Sequence, residues 1–283
     1  MEILTVRLAK LLGLKIVITV HDVESFSGDH SVKIAAQIFS MADRLIAHNA
    51  VSRQELIDKI GVSEHHISTI PHGNYVSFAT FRPSKAAARE QLGLAENAEV
   101  LLFFGQIKQV KGLDVLLEAF DLVRKKRPNV VLLIAGKVWK DDFSKYQQII
   151  DKLSLTPSLK MDIRYIPDEE APWYYAAADL VVLPYRKIYQ SGVLLMAMSF
   201  ERAVVASNLA GMSEVVTEGE TGYLFEDGDI HLLSDALDRA LAHPEQRDRI
   251  ATAGLRLMEN RYSWTSIGQE TRDVYQRVIH GVN

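Results

Sequence analysis

Two lysines stand in the turn after an apolar segment, in the sequence FFGQIKQVKG at residues 103–112. The segment is apolar like a buried strand, the chain leaves it through Gly105, and a helix is predicted from Gly112 onward. The free N–H groups of a helix start attract anions, and Lys108 and Lys111 add two positive charges beside them. The pattern predicts a site for a diphosphate, although a solvated basic turn between a strand and a helix has the same spacing.

A second helix start of this kind lies in PYRKIYQSGVLLMAM at residues 184–198. A strand is predicted to end at Pro184, and Ser191 has the position of an N-cap for an apolar helix. Gly192 permits close approach of a ligand to the backbone, so the N–H groups there form another anion-binding position. Simple capping of a buried helix would explain this motif alone. Two such helix starts at one sheet edge favour a ligand that carries phosphate.

Three further motifs bring polar groups or a glycine to the ends of predicted strands. His21 follows the segment KIVITV, Gly73 lies in IPHGNY, and Glu214 lies in LAGMSEVV. Each has a structural alternative, because a lone histidine and a turn glycine are more often structural. Glu214, in turn, is placed either to pair with the dipole of its helix or to accept a hydroxyl.

Several kinds of chemistry are excluded or disfavoured by the composition. The chain has no cysteine, which removes thiolate nucleophiles, thiolate metal ligands and disulfides. It contains neither GxxxxGK[ST] nor GxSxG, which disfavours NTP hydrolysis and serine hydrolase chemistry. The adjacent His65 and His66 would point to opposite sides of a strand, and no histidine pair has the i, i+4 spacing of a helical metal site. No metal site is predicted.

Apolar segments of strand length alternate with amphipathic helical segments, which predicts an α/β fold of parallel sheets covered by helices. The predicted strands lie at 15–20, 44–48, 66–70, 100–105, 130–136, 162–166, 179–184, 203–207 and 222–225. Helices are predicted near 3–12, from Ser31, from Ser52 to Gly61, and throughout the chain after Ile230. The first three strands would form a thin sheet, and the others a doubly wound domain of about 150 residues.

Length and charge are those of an ordinary globular protein. The 283 residues suffice for about two domains, and 48% of them are hydrophobic. The formal net charge of −4 does not indicate a general affinity for nucleic acid, so no nucleic-acid partner is expected, although local basic patches are compatible with it. Lys10 and Lys15 interrupt the apolar N-terminal stretch before it reaches the length of a membrane span. We therefore expect a cytoplasmic protein. Arg7 and Lys10 are compatible with peripheral membrane contact, but equally with a solvated helix face.

Taken in order, these motifs resemble those of the family 4 glycosyltransferases. The resemblance runs through nearly the whole chain, from TVHD through IPHG, FFGQIKQVKG and YQSGV to AGMSEVV and EGETGYLF. It implies a GT-B fold of two Rossmann-like domains and transfer, with retention, from a nucleoside-diphosphate sugar. It also implies an N-terminal acceptor domain at 1–82, a C-terminal nucleotide-sugar domain at 83–255, and a final helical segment at 256–283 that packs on the first domain.

The resemblance implies roles for individual residues. Lys111 matches the family's diphosphate-binding lysine and His21 a histidine that contacts the donor sugar, so these two are the expected catalytic residues. The other expected substrate contacts are Gly105, Gln106 and Lys108 in the phosphate loop, Ile166 at the nucleobase, Ser191, Gly192 and Val193 at the distal phosphate, and Tyr189, Gln190 and Glu214 at sugar hydroxyls. Since lysines neutralise the diphosphate, neither a metal nor another cofactor is expected.

Three features depart from the family pattern, one of which is that Glu201 and Ala203 stand where a Gly and a Pro are usual before the next strand. The family's Glu-x7-Glu pair falls on Ile188 and Met196, so the polar residues assigned above to the sugar would have to replace its contacts. The chain also starts well inside the family's N-terminal domain, so the first domain is expected to be incomplete. We expect its outer face, over residues 1–20, to be covered by a second copy or by a partner chain.

The leading hypothesis is a retaining, hexosyltransferase-type glycosyltransferase of polysaccharide biosynthesis. It would transfer sugar from a UDP- or GDP-sugar to a glycan or lipid-linked acceptor. Catalysis would rest on positioning and charge stabilisation, because lysines and helix starts stabilise the departing diphosphate. The alternative is a truncated, non-catalytic or partner-dependent protein that binds a nucleotide sugar, and a GT-B sugar-nucleotide epimerase is a third interpretation.

Overall fold

The computed structural model describes residues 2–23 and 32–281. The chain folds as two units, one ending at Gly73 and resumed from Arg261, the other formed by Asn74–Asn260. The units thus divide after Gly73, whereas the sequence predicts a domain boundary at residue 82. The Asn74 side chain donates a hydrogen bond of 2.8 Å to the carbonyl of Met258, inside the second unit.

The first unit holds a parallel sheet of three strands in the order β1-β2-β3. Its strands and helices are β1 Val17–Val20, β2 Arg44–Ala47, β3 Ile67–Thr69, α1 Glu2–Leu11, α2 Val32–Phe39, α3 Ala50–Glu55 and α12 Trp264–His280. All three strands were predicted from the sequence, and each is shorter than predicted. A small core joins the sheet to the final helix, because Ile46 and Ile70 pack against Ile267 and Val274.

The start of α3 differs from the prediction. Asn49, and not Ser52, is its N-cap, because the Asn49 side chain accepts a hydrogen bond of 2.7 Å from the N–H of Ser52. The helix continues as a π-helical turn over Leu56–Ile60 and stops at Gly61, as predicted, with a φ of 80°. The start predicted for α2 at Ser31 lies outside the described residues.

The second unit holds a parallel sheet of six strands in the order β6-β5-β4-β7-β8-β9. The strands are β4 Glu99–Phe104, β5 Val130–Ala135, β6 Leu159–Asp162, β7 Leu180–Leu183, β8 Ala203–Ser207 and β9 Tyr223–Phe225. The helices are α4 Lys85–Gln91, α5 Leu113–Lys126, α6 Ser144–Lys152, α7 Ala171–Ala177, α8 Gly192–Ser199, α9 Ala210–Ser213, α10 Ile230–Ala242 and α11 Pro244–Asn260. The chain starts at β4, runs outward to β6 and returns to β7 beside β4. This is the doubly wound order, with its switch point between β4 and β7.

Strand β6 lies earlier in the chain than predicted, at Leu159–Asp162 instead of 162–166. Leu159 pairs with β5, and the chain turns after Asp162, whose carbonyl accepts a hydrogen bond of 2.9 Å from the N–H of Arg164. The alternation in DIRYI is typical of a strand, but the turn ends the pairing. Ile166 therefore lies in the loop after β6, and it is buried there.

The core of the second unit lies between its sheet and the covering helices. Leu113, Leu116, Leu117 and Phe120, the predicted apolar face of α5, are all fully buried. Burial of a large apolar side chain contributes about 1.5–3 kcal/mol, so this face holds α5 firmly against the sheet. In the described part of the chain, every helix falls short of the length or the apolar character that a membrane crossing requires.

Candidate functional site

The loops after β4 and β7 meet at the switch point of the second sheet. We call residues 105–112 the β4 loop and residues 184–191 the β7 loop. The N–H of Arg186 donates a hydrogen bond of 2.9 Å to the carbonyl of Val110. Its guanidinium donates two more, of 2.8 and 2.7 Å, to the two carboxylate oxygens of Asp114 in the first turn of α5. The β7 loop thus fixes the turn that carries the two predicted lysines.

Two glycines allow the close packing of the β4 loop. A Cβ atom on Gly112 would lie 1.8 Å from the carbonyl oxygen of Pro184, and its φ is 65°. A Cβ atom on Gly136, after β5, would lie 1.7 Å from the carbonyl oxygen of Gly105. No side chain fits at either position, so the β4 loop is held between the ends of β5 and β7.

Lys111 ends a single 3₁₀ turn directly before α5. Its ammonium lies 3.6 Å from the centroid of the Tyr185 ring, which is 1% exposed. Within the described residues, no carboxylate forms an ion pair with this ammonium. An aromatic face attracts a cation without neutralising it. The β7 loop therefore positions a positive charge that remains available to an anion.

Ser191 caps α8 as the sequence predicts. Its hydroxyl accepts a hydrogen bond of 3.2 Å from the N–H of Leu194. The N–H groups of Gly192 and Val193 lie in the first turn of the helix, where no carbonyl of the helix can accept them. Val193 also borders the β4 loop, since its Cγ2 lies 3.2 Å from where a Cβ of Gly105 would be. The start of α8 and the β4 loop are therefore neighbours.

The other predicted residues of the second unit all follow a strand at this same sheet edge. In the β4 loop, Gln106 is exposed and Lys108 is half-buried. In the β7 loop, Tyr189 is 2% exposed and Gln190 is half-buried. Glu214 is exposed at the C-terminal end of the four-residue α9, so pairing with the positive end of the helix dipole, one of its two predicted roles, is wrong.

Three histidines line up at the carboxyl edge of the first sheet. His21 follows β1, His48 follows β2 and His72 follows β3. The ring centroids of His21 and His48 are 4.9 Å apart, and those of His48 and His72 are 5.8 Å apart. Trp264 of α12 continues the row at 5.8 Å from His72. We call these three imidazoles the histidine row.

Hydrogen bonds hold the central member of the row. The Nδ1 atom of His48 lies 3.0 Å from the carbonyl oxygen of Ile70, and its Nε2 atom lies 3.2 Å from Nδ1 of His21. Burial lowers the pKa of His48; the bond to Ile70 opposes this, and the charges of His21 and His72 add to it. His48 is therefore neutral at pH 7, whereas the His21 side chain is exposed.

The sequence interpretation identified His21 and missed His48 and His72. A signal was present, because a histidine follows each of the first three strands, in VITVH, LIAH and TIPH. In parallel strands, residues just beyond the ends reach the same edge. Among the described residues, no group of His, Asp or Glu side chains is arranged to hold a metal ion.

The sequence matches two known families along most of its length. Residues 84–256 match the family described as "Glycosyl transferases group 1", and residues 1–69 match "Glucosyltransferase 3-like, N-terminal domain".

Curated relatives include a D-inositol 3-phosphate glycosyltransferase of Nocardioides sp. It is 30% identical over 254 residues, which cover 85% of this chain and 55% of that protein. The protein of the same name from Streptosporangium roseum is 29% identical over 248 residues, covering 84% of this chain and 56% of that protein. The chain thus spans about half the length of the curated relatives it matches.

Solved structures share the architecture at low sequence identity. The Anabaena protein Alr3699/HepE in complex with UDP matches with a TM-score of 0.87 and 21% identity, over 97% of this chain and 76% of that one. Sucrose-phosphate synthase from Thermosynechococcus elongatus matches with a TM-score of 0.81 and 21% identity, over 99% and 73%. At such identities the likeness shows the fold.

Proposed function

The chain belongs to the group 1 glycosyl transferases and has the GT-B type of fold, as predicted, and on that premise we propose that it is a retaining hexosyltransferase. It transfers a sugar from a UDP- or GDP-sugar to a glycan or lipid-linked acceptor. One observation carries the proposal: Lys111 and the open first turn of α8 lie on the two loops that meet at the switch point. A diphosphate needs both a cation and N–H donors. The Anabaena relative, whose structures hold UDP and UDP-glucose, supports a uridine nucleotide as donor.

The phosphate groups occupy the space between the β4 loop and α8. Lys111 and Lys108 bind the diphosphate, and Gly105 and Gln106 line the start of the loop. The N–H groups of 192–193, next to the Ser191 cap, bind the distal phosphate. The ring of Tyr185 supports this assignment because it holds the Lys111 ammonium at the loop, where no carboxylate of the described residues pairs with it.

The sugar and the base are bound by the neighbouring loops. Ile166, buried in the loop after β6, borders the nucleobase. Ile188 and Met196 stand where the family has two glutamates. Because both are apolar, other groups must form the hydrogen bonds to the sugar hydroxyls. Gln190 is a more accessible hydroxyl partner than Tyr189, which is only 2% exposed, and exposed Glu214 accepts a further hydroxyl. His21 contacts the donor sugar, the role that the family resemblance implies for it.

Transfer needs no protein nucleophile in this proposal. The bond between the anomeric carbon and the diphosphate oxygen breaks as the acceptor oxygen forms its bond on the same face of the sugar. The acceptor proton passes to an oxygen of the departing diphosphate. Lys111 and the α8 N–H groups stabilise the negative charge that develops there. Since lysines supply the positive charge, the proposal includes no metal and no other cofactor.

Titration calorimetry of the whole chain with a panel of UDP- and GDP-sugars tests the donor site. We expect one nucleotide to bind and its sugar to be transferred with an unchanged anomeric configuration, read by NMR of the product. Absence of binding by every member of the panel would contradict the proposal.

A second candidate function is binding of the nucleotide sugar without unaided transfer. The first sheet has three strands, and this favours a protein that needs another chain to complete its acceptor side. Transfer or hydrolysis of the donor by the purified chain alone would exclude this candidate. Formation of an epimerised sugar nucleotide would instead identify an epimerase.

A second copy of this chain covers the exposed stripe of α1. Leu4, Leu8 and Leu11 follow each other at helical spacing, and 74%, 56% and 85% of their surfaces are exposed. Lys10 and Lys15 nearby pair with Asp43 at 2.8 and 3.7 Å, so two stripes can meet without bringing unpaired lysines together. A stripe of this kind is self-complementary across a two-fold axis.

A further inference from the structure

The partners of His48 determine where its proton lies. A backbone carbonyl oxygen can only accept a hydrogen bond, so the Nδ1 atom that faces Ile70 O at 3.0 Å carries a hydrogen. His48 is neutral, because burial lowers its pKa. A neutral imidazole has one N–H, so Nε2 of His48 carries a lone pair and accepts a hydrogen bond.

The same argument passes to His21. Its Nδ1 atom lies 3.2 Å from Nε2 of His48, and since that Nε2 accepts, Nδ1 of His21 must be the donor of the bond. The proton of neutral His21 is therefore on Nδ1, and its Nε2 atom is left with a lone pair. Water favours the opposite tautomer of free histidine, with the proton on Nε2. The row reverses this preference.

The geometry points to His48 as the positioning residue of His21: it orients the ring and fixes the tautomer in which Nε2 accepts a hydrogen bond. The tautomer follows from contacts inside the first unit alone. Its consequence for substrate rests on the proposed function, because Nε2 then accepts a hydrogen from a hydroxyl of the donor sugar. An exposed histidine without this partner would present both tautomers and several ring orientations.

The assignment holds for the neutral row, in which each ring has a single N–H. Among the described residues, the titratable groups whose charges act on His48 are His21, from the loop after β1, and His72, from the loop after β3. Nδ1 of His72 in turn faces the carbonyl of Gly73 at 2.7 Å.

NMR of the whole chain labelled with ¹⁵N-histidine tests the assignment directly, through the couplings that distinguish protonated from unprotonated ring nitrogens. At a pH at which both rings are neutral, we expect His21 and His48 both in the Nδ1–H form. A spectrum with His21 in the Nε2–H form would overturn the inference, whether or not the chain transfers sugar.

Two substitutions of His48 form a matched pair. In His48→Gln the amide oxygen replaces Nε2 and still accepts from His21, whereas in His48→Asn the amide nitrogen replaces Nδ1 and leaves His21 without an acceptor. We expect the Asn variant to lose the Nδ1–H form of His21 and the Gln variant to retain it. If both variants keep the wild-type tautomer, His48 does not position His21. If the Asn variant does not fold, the wild-type and Gln spectra still show whether the proton of His21 is on Nδ1.

Kinetics then connect the tautomer to the proposed reaction. We expect His48→Asn to raise the KM for the donor about fivefold, the effect of one lost hydrogen bond, and His48→Gln to restore it. Identical kinetics of both variants and wild type would contradict the sugar contact. Absence of donor binding by the wild type would contradict the proposed function and leave the tautomer assignment to the NMR result.

Discussion

The guanidinium of Arg186 and the carboxylate of Asp114 form a bidentate ion pair, with N–O distances of 2.8 and 2.7 Å. It ties the β7 loop to the first turn of α5, on opposite sides of the switch point. Lys111 stands three residues before Asp114, and its ammonium lies over the ring of Tyr185, the neighbour of Arg186, so the pair fixes both segments that position this charge.

We expect Arg186→Lys to weaken UDP binding several-fold. A lysine cannot form the planar bidentate pair with Asp114, so the β4 loop becomes less well positioned. The loss of stability should be small, at most about 1 kcal/mol, because both side chains are about one-third exposed and water screens them. Calorimetry gives the affinity, and urea unfolding the stability. A variant that binds UDP as tightly as wild type would show that the pair does not position the loop.

We expect Lys111→Ala to weaken binding of the nucleotide diphosphate by at least about tenfold, since a hydrogen bond to a charged group contributes about 1.5–3 kcal/mol. Lys126→Ala, at the other end of α5, is the matched control. Lys126 is exposed, and its ammonium lies 4.0 Å from the carboxylate of Asp235, so its removal breaks only a weak surface ion pair. Titration of UDP into each variant separates the two. Equal affinities would remove Lys111 from the phosphate site.

We expect Gly112→Ala to destabilise the second unit by at least about 3 kcal/mol, because its Cβ would overlap the carbonyl of Pro184 and its φ is positive. Gly219→Ala is the control. Its φ of 73° carries the same backbone cost, but nothing lies within 4 Å of the added Cβ, so about 1 kcal/mol is expected. Urea unfolding compares them, and equal losses would contradict the close packing of the two loops.

The stability of the first unit should fall as pH decreases below about 6.5, the ordinary pKa of histidine. The pKa of His48 is lowered in the folded chain, so the unfolded chain binds more protons in this range and stability rises with pH until His48 is neutral in both states. Native-state hydrogen exchange of the β2 amides measures the slope. His48→Gln should reduce it, while a slope unchanged by this substitution would assign the effect to other groups.

We expect the chain to form a dimer through α1 and Leu11→Glu to convert it to a monomer. Leu11 is the most exposed of the stripe leucines, so the new charge would be buried in the pair. Leu232→Glu, on an exposed leucine of α10, should leave the dimer intact. Light scattering after size exclusion gives the mass. A wild-type monomer would contradict the pairing. Binding of the wild-type chain to anionic vesicles would indicate that α1 contacts a membrane surface instead of a second copy.

Local signals in the sequence predict most of the fold. Eight of the nine predicted strands were found near their predicted positions, and Gly61 and Ser191 were identified as a helix stop and a cap. Strand β6 was misplaced because DIRYI alternates like a strand, and only the turn at Arg164 ends the pairing. Ser52 was taken for the cap of α3 because Glu55 follows it at capping-box spacing, but Asn49, three residues earlier, offers the same chemistry and caps the helix.

The candidate site was predictable as a set of loops but not as a set of contacts. The motifs alone bring Lys111 and Ser191 to one sheet edge. The ring of Tyr185 beneath the lysine and the pair between Arg186 and Asp114 depend on how two loops pack, which no local pattern contains. His48 was missed because its role depends on a carbonyl of another strand.

The division of the chain also dictates an order of events during synthesis. Ile46 of β2 packs against Ile267 and Val274 of α12, yet the whole of residues 74–260 lies between them in sequence. On the ribosome, the second unit is complete in sequence while the first sheet still lacks its covering helix. The apolar face of β1, β2 and β3 that α12 covers therefore stays exposed until α12 has been synthesised. During this period chaperones would have access to it.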